Sequence, residues 1–396
     1  MKKIPSVASW FLACVATFFT RAFLYSTWVS RGPEVMTSLH LNNAQMGLLV
    51  MLYPLGGLIG VIFAGRLRAR FGSSALTYWG FGISAAAMAA LAFTVPAGNL
   101  VASSFLLFVM GLPMSIADFI TNYQATAVSS RSTRTLMPAI HSAFGFGMML
   151  GAGSANLFLG AKIGIQTEYL VTALIVLLPS LWAAYIYPAE SVTAGADATP
   201  KSSVPAAKPQ SPWTEPRTLK IALIGFTFIL AEMAAGTWVP IALVDSGQTA
   251  ASAAAALGVF WIVVTTVRAL GGFLVDRLGR RRTLLASTLV LALGVTVFAL
   301  TPVLHLPYLG LGLWAAGLSM GFPLSVSSMG DDPVRAPARI NMIITVVYFS
   351  GMTAGPALGL AGQSLGVYAS FAIPVLLALV SAALTPATKA PSEVKG

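Results

Sequence analysis

The sequence contains few charged residues and one cysteine. Asp, Glu, Lys and Arg make up 9% of its 396 residues, whereas 57% are hydrophobic, and the mean hydropathy is +0.82. Soluble globular domains carry about 25% charged residues, so this composition excludes an ordinary soluble protein and indicates a membrane protein. The lone Cys14 excludes an intramolecular disulfide and any site built from several cysteines.

Motifs for catalysis or ATP use are also scarce. The sequence has no His-Glu-x-x-His zinc motif and no Walker phosphate-binding loop. Of its three histidines, His40 and His305 fall in short predicted loops. We therefore predict that the chain is not an enzyme, does not use ATP, and requires no cofactor or metal.

Apolar stretches long enough to cross a membrane recur along the chain. About 20 predominantly apolar residues suffice to span the hydrocarbon core as a helix. Twelve stretches qualify and are named spans 1 to 12, at residues 6–30, 43–65, 74–95, 100–127, 136–160, 166–187, 218–243, 253–275, 283–304, 308–328, 340–362 and 367–386. We predict an all-α membrane protein with twelve transmembrane helices.

Basic residues are distributed unevenly between the two ends of these spans. Nineteen of the 23 Lys and Arg residues fall on the side of the N-terminus, Arg31 and Lys162 fall on the other side, and Arg21 and Arg268 lie within spans. Because Lys- and Arg-rich loops stay cytoplasmic, we expect a multi-pass protein of the inner (plasma) membrane with both termini in the cytoplasm. The net charge of +11 then reflects topology, and we predict no nucleic-acid partner.

The middle of the chain interrupts the series of spans. Residues 190–216 are rich in Ala, Pro, Ser and Lys and lack an apolar period, which is typical of a flexible linker. Short matches relate the flanking parts at nearly one offset: Thr27-Trp28-Val29 with Thr237-Trp238-Val239, Gly111-Leu112-Pro113-Met114-Ser115 with Gly321-Phe322-Pro323-Leu324-Ser325, and Gly147-Met148 with Gly351-Met352. We therefore predict two pseudo-symmetric six-helix bundles at 1–187 and 217–396, joined by a cytoplasmic linker at 188–216. Parallel repeats of this kind place a substrate site between the halves.

A loop rich in glycine and arginine lies between spans 8 and 9. From Gly272 it reads Gly-Phe-Leu-Val-Asp-Arg-Leu-Gly-Arg-Arg-Arg-Thr-Leu. We expect Gly272 to allow close helix packing and Asp276 to cap a helix or form an ion pair. The arginines are expected to hold the loop at the anionic inner leaflet. The residues assigned to this gating loop are Gly272, Asp276, Arg277, Gly279 and Arg280.

This loop resembles the signature cytoplasmic loop of the major facilitator superfamily. The resemblance implies a secondary transporter that works by alternating access between two six-helix bundles. A copy between spans 2 and 3, Gly65-Arg66-Leu67-Arg68-Ala69-Arg70-Phe71-Gly72-Ser73-Ser74, lacks the acid and two basic positions. We expect its gating contact to be weaker.

Few ionisable side chains lie well inside the spans. Arg21 in span 1, Asp118 in span 4, Glu232 in span 7 and Arg268 in span 8 carry fixed charges, and His141 lies in span 5. A charged side chain at the centre of a membrane helix costs about 2.5–3.5 kcal/mol on insertion scales, so each is a candidate functional residue. In the superfamily that the chain resembles, spans 1, 4, 7 and 10 line the cavity, and three of the four charges occur there.

Three of these groups are candidates for proton coupling: Glu232, Asp118 and His141. Burial favours the protonated form of a carboxyl group, and histidine titrates near neutrality. The alternatives are structural. Asp118 and His141 would then belong to a hydrogen-bond network between spans 4 and 5, and Glu232 to a static ion pair with Arg21 or Arg268.

Candidate substrate contacts are polar and aromatic side chains of the same spans. Arg21 keeps its proton, so it either binds an anionic or hydroxyl-rich solute or forms an ion pair. Asn122 lies one helical turn from Asp118 and shares its face. The other predicted contacts are Tyr25, Trp28, Gln124 and Trp238, with packing as the alternative for each aromatic. Arg268, nearer the cytoplasmic end, is assigned to the gating loop.

Four short motifs are similar to the YbjJ-like branch of the superfamily. They are Asp118-x-x-x-Asn122-x-Gln124, His141-x-x-Phe144-x-x-Gly147-x-x-x-Gly151, Trp28-x-x-Arg31-x-Pro33 and Glu232-x-Ala234-x-x-x-Trp238. The sequence departs from the branch at Thr237, because an acid is expected at that position. The resemblance implies a secondary transporter and says little about its solute.

Together these features favour a secondary active transporter for a small polar or amphipathic organic solute, coupled to protons and acting as a monomer. Its expected partners are that solute, protons and the lipid bilayer. Two alternatives stay open. A multidrug/proton antiporter would have a more apolar cavity with one or two acids, and a transport-dead membrane sensor would bind a ligand without moving it.

Overall fold

The structure, a computed structural model, describes residues 5–132, 136–188, 211–332 and 335–389, and within them the chain forms helices and no strand. Eleven helices are long and apolar enough to cross a membrane. Span by span they are Val7–Ser30 (span 1), Asn43–Thr94 (spans 2 and 3), Leu100–Ser129 (span 4), Met137–Gly160 (span 5), Ile165–Ile186 (span 6), Pro216–Asp245 (span 7), Ala250–Leu278 (span 8), Arg280–Ala299 (span 9), Pro307–Met329 (span 10), Ala336–Leu365 (span 11) and Val367–Thr388 (span 12). The prediction of an all-α protein with twelve spans is confirmed, because the second helix is long enough for two.

Spans 2 and 3 continue through the loop that the sequence predicts at 66–73. One helix runs from Asn43 to Thr94 and departs from helical dihedrals at Gly72, where φ is 77° and ψ is 162°. Only glycine adopts this conformation without steric strain. The predicted loop is therefore wrong in extent, because Arg66, Arg68 and Arg70 lie on the helix rather than in an irregular segment.

The chain divides into two compact units. The first is Met1–Leu41, Leu52–Val204 and Thr249–Gly258, and the second is Asn42–Met51, Pro205–Gln248 and Val259–Gly396. The start of span 2 belongs to the second unit because it packs on span 11, where a side chain on Gly47 would meet the carbonyl oxygen of Gly355 at 2.4 Å. The linker predicted at 188–216 lies mostly outside the described residues, and the domain bounds stay a prediction.

Each unit joins its first and last spans by buried hydroxyl groups. In the first unit Thr20 on span 1 shares a hydrogen bond of 3.2 Å with Ser180 on span 6. In the second, Ser381 on span 12 donates to Thr227 on span 7 over 2.8 Å. A buried hydroxyl needs such a partner in a medium without water.

A second pair of contacts repeats in the same way. Ser26 on span 1 donates to the carbonyl oxygen of Met148 on span 5 at 2.6 Å, and Ser350 on span 11 donates to that of Phe226 on span 7 at 2.8 Å. Spans 1 and 5 of the first unit therefore correspond to spans 7 and 11 of the second. This correspondence agrees with the internal repeat read from the sequence.

Candidate functional site

An ion pair lies inside the membrane-spanning part of the first unit. Nη1 of Arg21 on span 1 is 3.0 Å from Oδ2 of Asp118 on span 4, and the two side chains are 25% and 19% exposed. Each charge offsets the cost of burying the other. Neither side chain is fully covered by protein.

Asn122 orients the carboxylate of Asp118. Its amide nitrogen donates to Oδ1 of Asp118 at 3.1 Å and to the carbonyl oxygen of the same residue at 2.9 Å. The spacing of four residues puts both side chains on one helix face, as the sequence predicts. One carboxylate oxygen thus contacts Asn122 while the other faces Arg21.

Aromatic rings surround the guanidinium of Arg21. Its central carbon lies 4.8 Å from the ring centre of Phe144 and 5.8 Å from that of Phe18. His141 packs edge-on against Phe18, with ring centres 4.7 Å apart. Among the described residues, Nε of Arg21 is buried without a hydrogen-bond partner, so the group keeps an unused donor.

The other predicted substrate contacts of the first unit are aromatic side chains and a buried amide. Tyr25 packs against Tyr53, with ring centres 5.4 Å apart, and Trp28 is buried against Tyr169. Gln124 is 0% exposed, and neither its amide nitrogen nor its oxygen has a hydrogen-bond partner within the described chain. Their contact with a solute stays a prediction.

The second unit holds its own intramembrane pair. Nη2 of Arg268 on span 8 lies 3.9 Å from Oε2 of Glu232 on span 7, and Nε of Arg268 donates to the carbonyl oxygen of Ser319 on span 10 at 3.1 Å. Arg268 therefore contacts Glu232 instead of the cytoplasmic loop to which the sequence assigned it. Trp238, another predicted contact, is fully buried on span 7.

The loop between spans 8 and 9 corrects two expectations. A side chain on Gly272 would meet nothing within 4 Å, whereas one on Gly271 would meet Met320 of span 10 at 2.0 Å. The glycine at the close helix contact is therefore Gly271 and not Gly272. A shift of one residue corresponds to a rotation of about 100° around the helix axis. Asp276 is exposed and makes no hydrogen bond or ion pair with another described residue.

Arg280 does not face the inner leaflet, which corrects its predicted role. It is buried, its Nε donates to the carbonyl oxygen of Thr388 at 2.7 Å, and its two terminal nitrogens bind Asp331 at 2.7 Å each. Arg277 stacks on the ring of Phe273 at 4.1 Å. A bidentate Arg–carboxylate contact is strong and geometrically specific, so it holds Arg280 inside the bundle.

The matching position before span 3 keeps the backbone conformation of this loop but has Ser73 and Ser74 in place of two arginines. Gly72 has φ 77° and ψ 162°, and Gly279 has φ 78° and ψ 158°. The hydroxyl of Ser74 donates to the carbonyl oxygen of Tyr187 at 3.2 Å, at the end of span 6. By the same offset Ser73 corresponds to Arg280 and Ser74 to Arg281, so a hydroxyl group at Ser74 contacts the end of span 6 next to the position where Arg280 binds the end of span 12.

Two acids outside the spans bind arginines in the second unit, and sequence reasoning missed both. Glu215 accepts from Arg339 at 2.8 Å and from Arg335 at 3.2 Å, and Asp331 accepts from Arg280 and Arg217. The sequence does carry a signal for these ion pairs, since both acids lie among basic residues at span ends.

These contacts set the pKa values of both acids. Burial raises the pKa of Glu215, but the hydrogen bond from Thr218 and the nearby arginines outweigh it, and the pKa lies below its ordinary value. For Asp331 burial again raises the pKa, and the contacts with Arg280 and Arg217 again prevail and lower it. Both carboxylates therefore stay ionised at neutral pH.

One catalytic pattern does occur in the sequence, inside span 10. Residues 317–321 read Gly-Leu-Ser-Met-Gly, which matches the Gly-x-Ser-x-Gly pattern of serine hydrolases. Ser319 is buried within the helix, and its hydroxyl donates to the carbonyl oxygen of Ala315 at 2.7 Å. A hydrolase nucleophile instead projects from a strand-to-helix turn, so this match carries no catalytic meaning.

Two transporters from other bacteria align with nearly the whole chain. The chain is 28% identical over 386 residues to an uncharacterised transporter of Sinorhizobium fredii, covering 94% of this chain and 97% of that one. It is 26% identical over 370 residues to an uncharacterised MFS-type transporter of Yersinia pestis, covering 92% of each.

Solved structures show the same fold at low identity. The nucleoside transporter NupG superposes with a TM-score of 0.74 at 14% identity, covering 96% of this chain and 98% of that one. The xylose transporter XylE from E. coli gives 0.72 at 17% identity, covering 95% and 98%. The family model described as Major Facilitator Superfamily matches residues 13–356. The chain therefore belongs to the major facilitator superfamily of multi-pass membrane transporters.

Proposed function

We propose that this chain is a secondary active transporter that moves a small polar organic solute across the inner membrane by alternating access, coupled to protons. The observation that carries the proposal is the partly exposed ion pair of Arg21 and Asp118. An ionic contact in a membrane span is costly to maintain, and such residues mark translocation paths and proton relays.

The geometry of this pair suggests how a proton and a solute are linked. With Asp118 ionised, its carboxylate occupies Arg21. A proton on Asp118 removes the attraction, and the guanidinium then presents its donors to a hydroxyl or anionic group of the solute. Phe144 and Phe18 offer apolar faces beside it. Proton and solute are bound together in this scheme, which corresponds to symport.

Glu232 and Arg268 supply a second pair of the same kind in the other unit. Their atoms are 3.9 Å apart, longer than the 3.0 Å of the first pair, so this contact is the weaker of the two. We assign Glu232 as a second proton-binding group. His141, packed on Phe18, is assigned as a further titrating group near Arg21.

Similar structures support the class of solute. Their titles name a nucleoside transporter, a D-xylose–proton symporter and a fucose–proton symporter. These solutes are rich in hydroxyl groups, which can accept hydrogen bonds from the guanidinium of Arg21 in this scheme. Membership of the YbjJ-like branch, cytoplasmic termini and a monomeric state complete the proposal, supported by the four sequence motifs and the distribution of basic residues.

The test is uptake into proteoliposomes. The purified chain is reconstituted, an acid-outside pH gradient is imposed, and uptake of labelled nucleosides, xylose and fucose is measured. We expect accumulation of at least one solute, its loss in Asp118→Asn, and retained exchange of pre-loaded solute in that variant. Asp245→Asn, at the exposed end of span 7, is the matched control and should behave as the parent chain.

Two outcomes would contradict the proposal. Accumulation that persists in Asp118→Asn would remove Asp118 from coupling. Binding of a solute without movement of any solute in the panel would favour a sensor, and export of lipophilic dyes alone would favour multidrug efflux.

A further inference from the structure

A further ionic cluster lies at the C-terminal end of span 1, on the side of the membrane that the charge distribution predicts to be outside. Arg31 follows the last residue of the span. Its Nε binds Oε2 of Glu168 on span 6 at 2.5 Å, its Nη1 binds Glu34 of the short helix Gly32–Ser38, and its Nη2 donates to the carbonyl oxygen of Ile163 at 3.0 Å. One guanidinium therefore contacts two carboxylates.

The cluster is buried and unbalanced in charge. The side chains of Arg31 and Glu168 are each 1% exposed, and that of Glu34 is 30% exposed. With both acids ionised the cluster carries one net negative charge. An uncompensated charge in a buried site is costly, and the usual response of a protein is to neutralise it by binding a proton.

Among the described residues, Arg31 is the cation that acts on Glu168. Its other oxygen, Oε1, accepts from the hydroxyl of Ser154 at 3.2 Å. Within the part of the chain that the structure describes, the charged groups that act on it are Arg31 and Glu34. The hydroxyl of Tyr169 interacts electrostatically with the same groups and is buried without a hydrogen-bond partner among described residues.

This arrangement differs from the two pairs deeper in the spans. Protonation of Asp118 or Glu232 leaves Arg21 or Arg268 without its carboxylate partner. Protonation of Glu168 leaves Arg31 paired with Glu34, so the cluster becomes neutral while its cation stays compensated. Unlike those two pairs, this cluster can hold a proton without leaving its buried arginine unpaired.

We propose that Glu168 is a proton-binding site at the outer end of the first unit, with Glu34 as the permanent counter-ion of Arg31. The proton comes from the medium, which reaches the cluster beside the partly exposed Glu34, and it binds a carboxylate oxygen of Glu168. No other bond forms or breaks. The assignment does not depend on a transported solute, so it can be tested in the absence of one.

Binding of the proton also changes how span 1 is held. Ionised Glu168 fixes Arg31 to span 6 by a charge-assisted hydrogen bond, which is stronger than one to a neutral carboxyl group. Protonation weakens this contact at the end of the same span that carries Arg21. Acid on this face would therefore loosen the outer end of span 1.

The experiment is a pH titration of carboxyl carbon signals by NMR, on the full chain in detergent with ¹³C-labelled glutamate. The sequence has six glutamates, so few signals need assignment, and Glu168→Gln identifies its own by its loss. We expect a signal, absent in Glu168→Gln, that titrates at a higher pH than exposed glutamates do. A Glu168 signal that stays ionised down to the range of exposed glutamates would overturn the proposal.

Two further variants keep the test decisive if Glu168→Gln does not fold. Glu34→Gln removes the competing negative charge, so the midpoint of Glu168 should move to lower pH. Ser154→Ala removes a donor to the ionised form, so the midpoint should move to higher pH. Shifts of opposite sign support the site, and midpoints that both variants leave unchanged would overturn it.

Discussion

Asp331 connects separate parts of the second unit, and its replacement by asparagine should weaken that unit markedly. The carboxylate binds both terminal nitrogens of Arg280 at the start of span 9, and Nη2 of Arg217 near the start of span 7. The same two arginines also donate to the carbonyl oxygens of Thr388 and Ala387 at the end of span 12. Removal of the charge leaves Arg280 buried without a counter-ion.

The exposed fractions of the three side chains determine how much stability each substitution should remove. Arg280 and Asp331 are 9% and 11% exposed, whereas Arg217 is 37% exposed. Breaking a buried pair by removing one partner costs about 3–5 kcal/mol, and an exposed pair contributes about 0.2–1 kcal/mol. We expect Asp331→Asn and Arg280→Ala each to lower the free energy of unfolding by about 3 kcal/mol, and Arg217→Ala by about 1 kcal/mol or less.

Thermal unfolding of the purified chain in detergent measures this order, and its pH dependence tests the cause. Because the pKa of Asp331 is lower in the folded chain than its ordinary value of 3.8, the ion pairs stabilise fully above that value. The stabilisation is lost as the pH falls through the folded pKa. Asp331→Asn should therefore lose less stability than the parent chain on acidification. Equal effects of Arg217→Ala and Arg280→Ala, or an unchanged pH dependence in Asp331→Asn, would refute the reasoning.

Three further predictions concern single side chains. Gly279→Ala should destabilise by about 1–3 kcal/mol because φ is 78° there, whereas Gly272→Ala, with open space around it, should be neutral in the same unfolding assay. Gln124→Met should raise the free energy of unfolding, by up to about 1–3 kcal/mol, since it removes two buried atoms without partners, and a fall would contradict this reading. Glu232→Gln should abolish uphill accumulation in proteoliposomes and preserve exchange of pre-loaded solute, and persisting accumulation would exclude it as a coupling acid.

The features that could be predicted from the sequence depend on local pattern. Long apolar runs fix the spans because a backbone in lipid must satisfy its own hydrogen bonds, and a helix does so within one segment. The contact of Asp118 with Asn122 follows from their spacing of four. The equivalent glycines Gly72 and Gly279 follow from the internal repeat, and the structure shows that they share one backbone conformation.

The features that could not be predicted depend on which spans are neighbours. Arg21 and Asp118 are 97 positions apart in the chain, and Arg31 and Glu168 are 137 apart. Nothing in the local pattern selects these partners from the other charges. Close packing at Gly271 instead of Gly272 was missed for a related reason, because an apolar helix has no polar face that marks its orientation.

The central claim is that a proton on Asp118 accompanies the solute bound beside Arg21. The most direct measurement is the proton flux that a solute gradient drives, followed with a pH-sensitive dye inside proteoliposomes, for the parent chain and for Asp118→Asn. The account predicts that inward movement of solute acidifies the lumen with the parent chain, and that the variant exchanges solute without moving protons. An equal proton flux with the variant would contradict it.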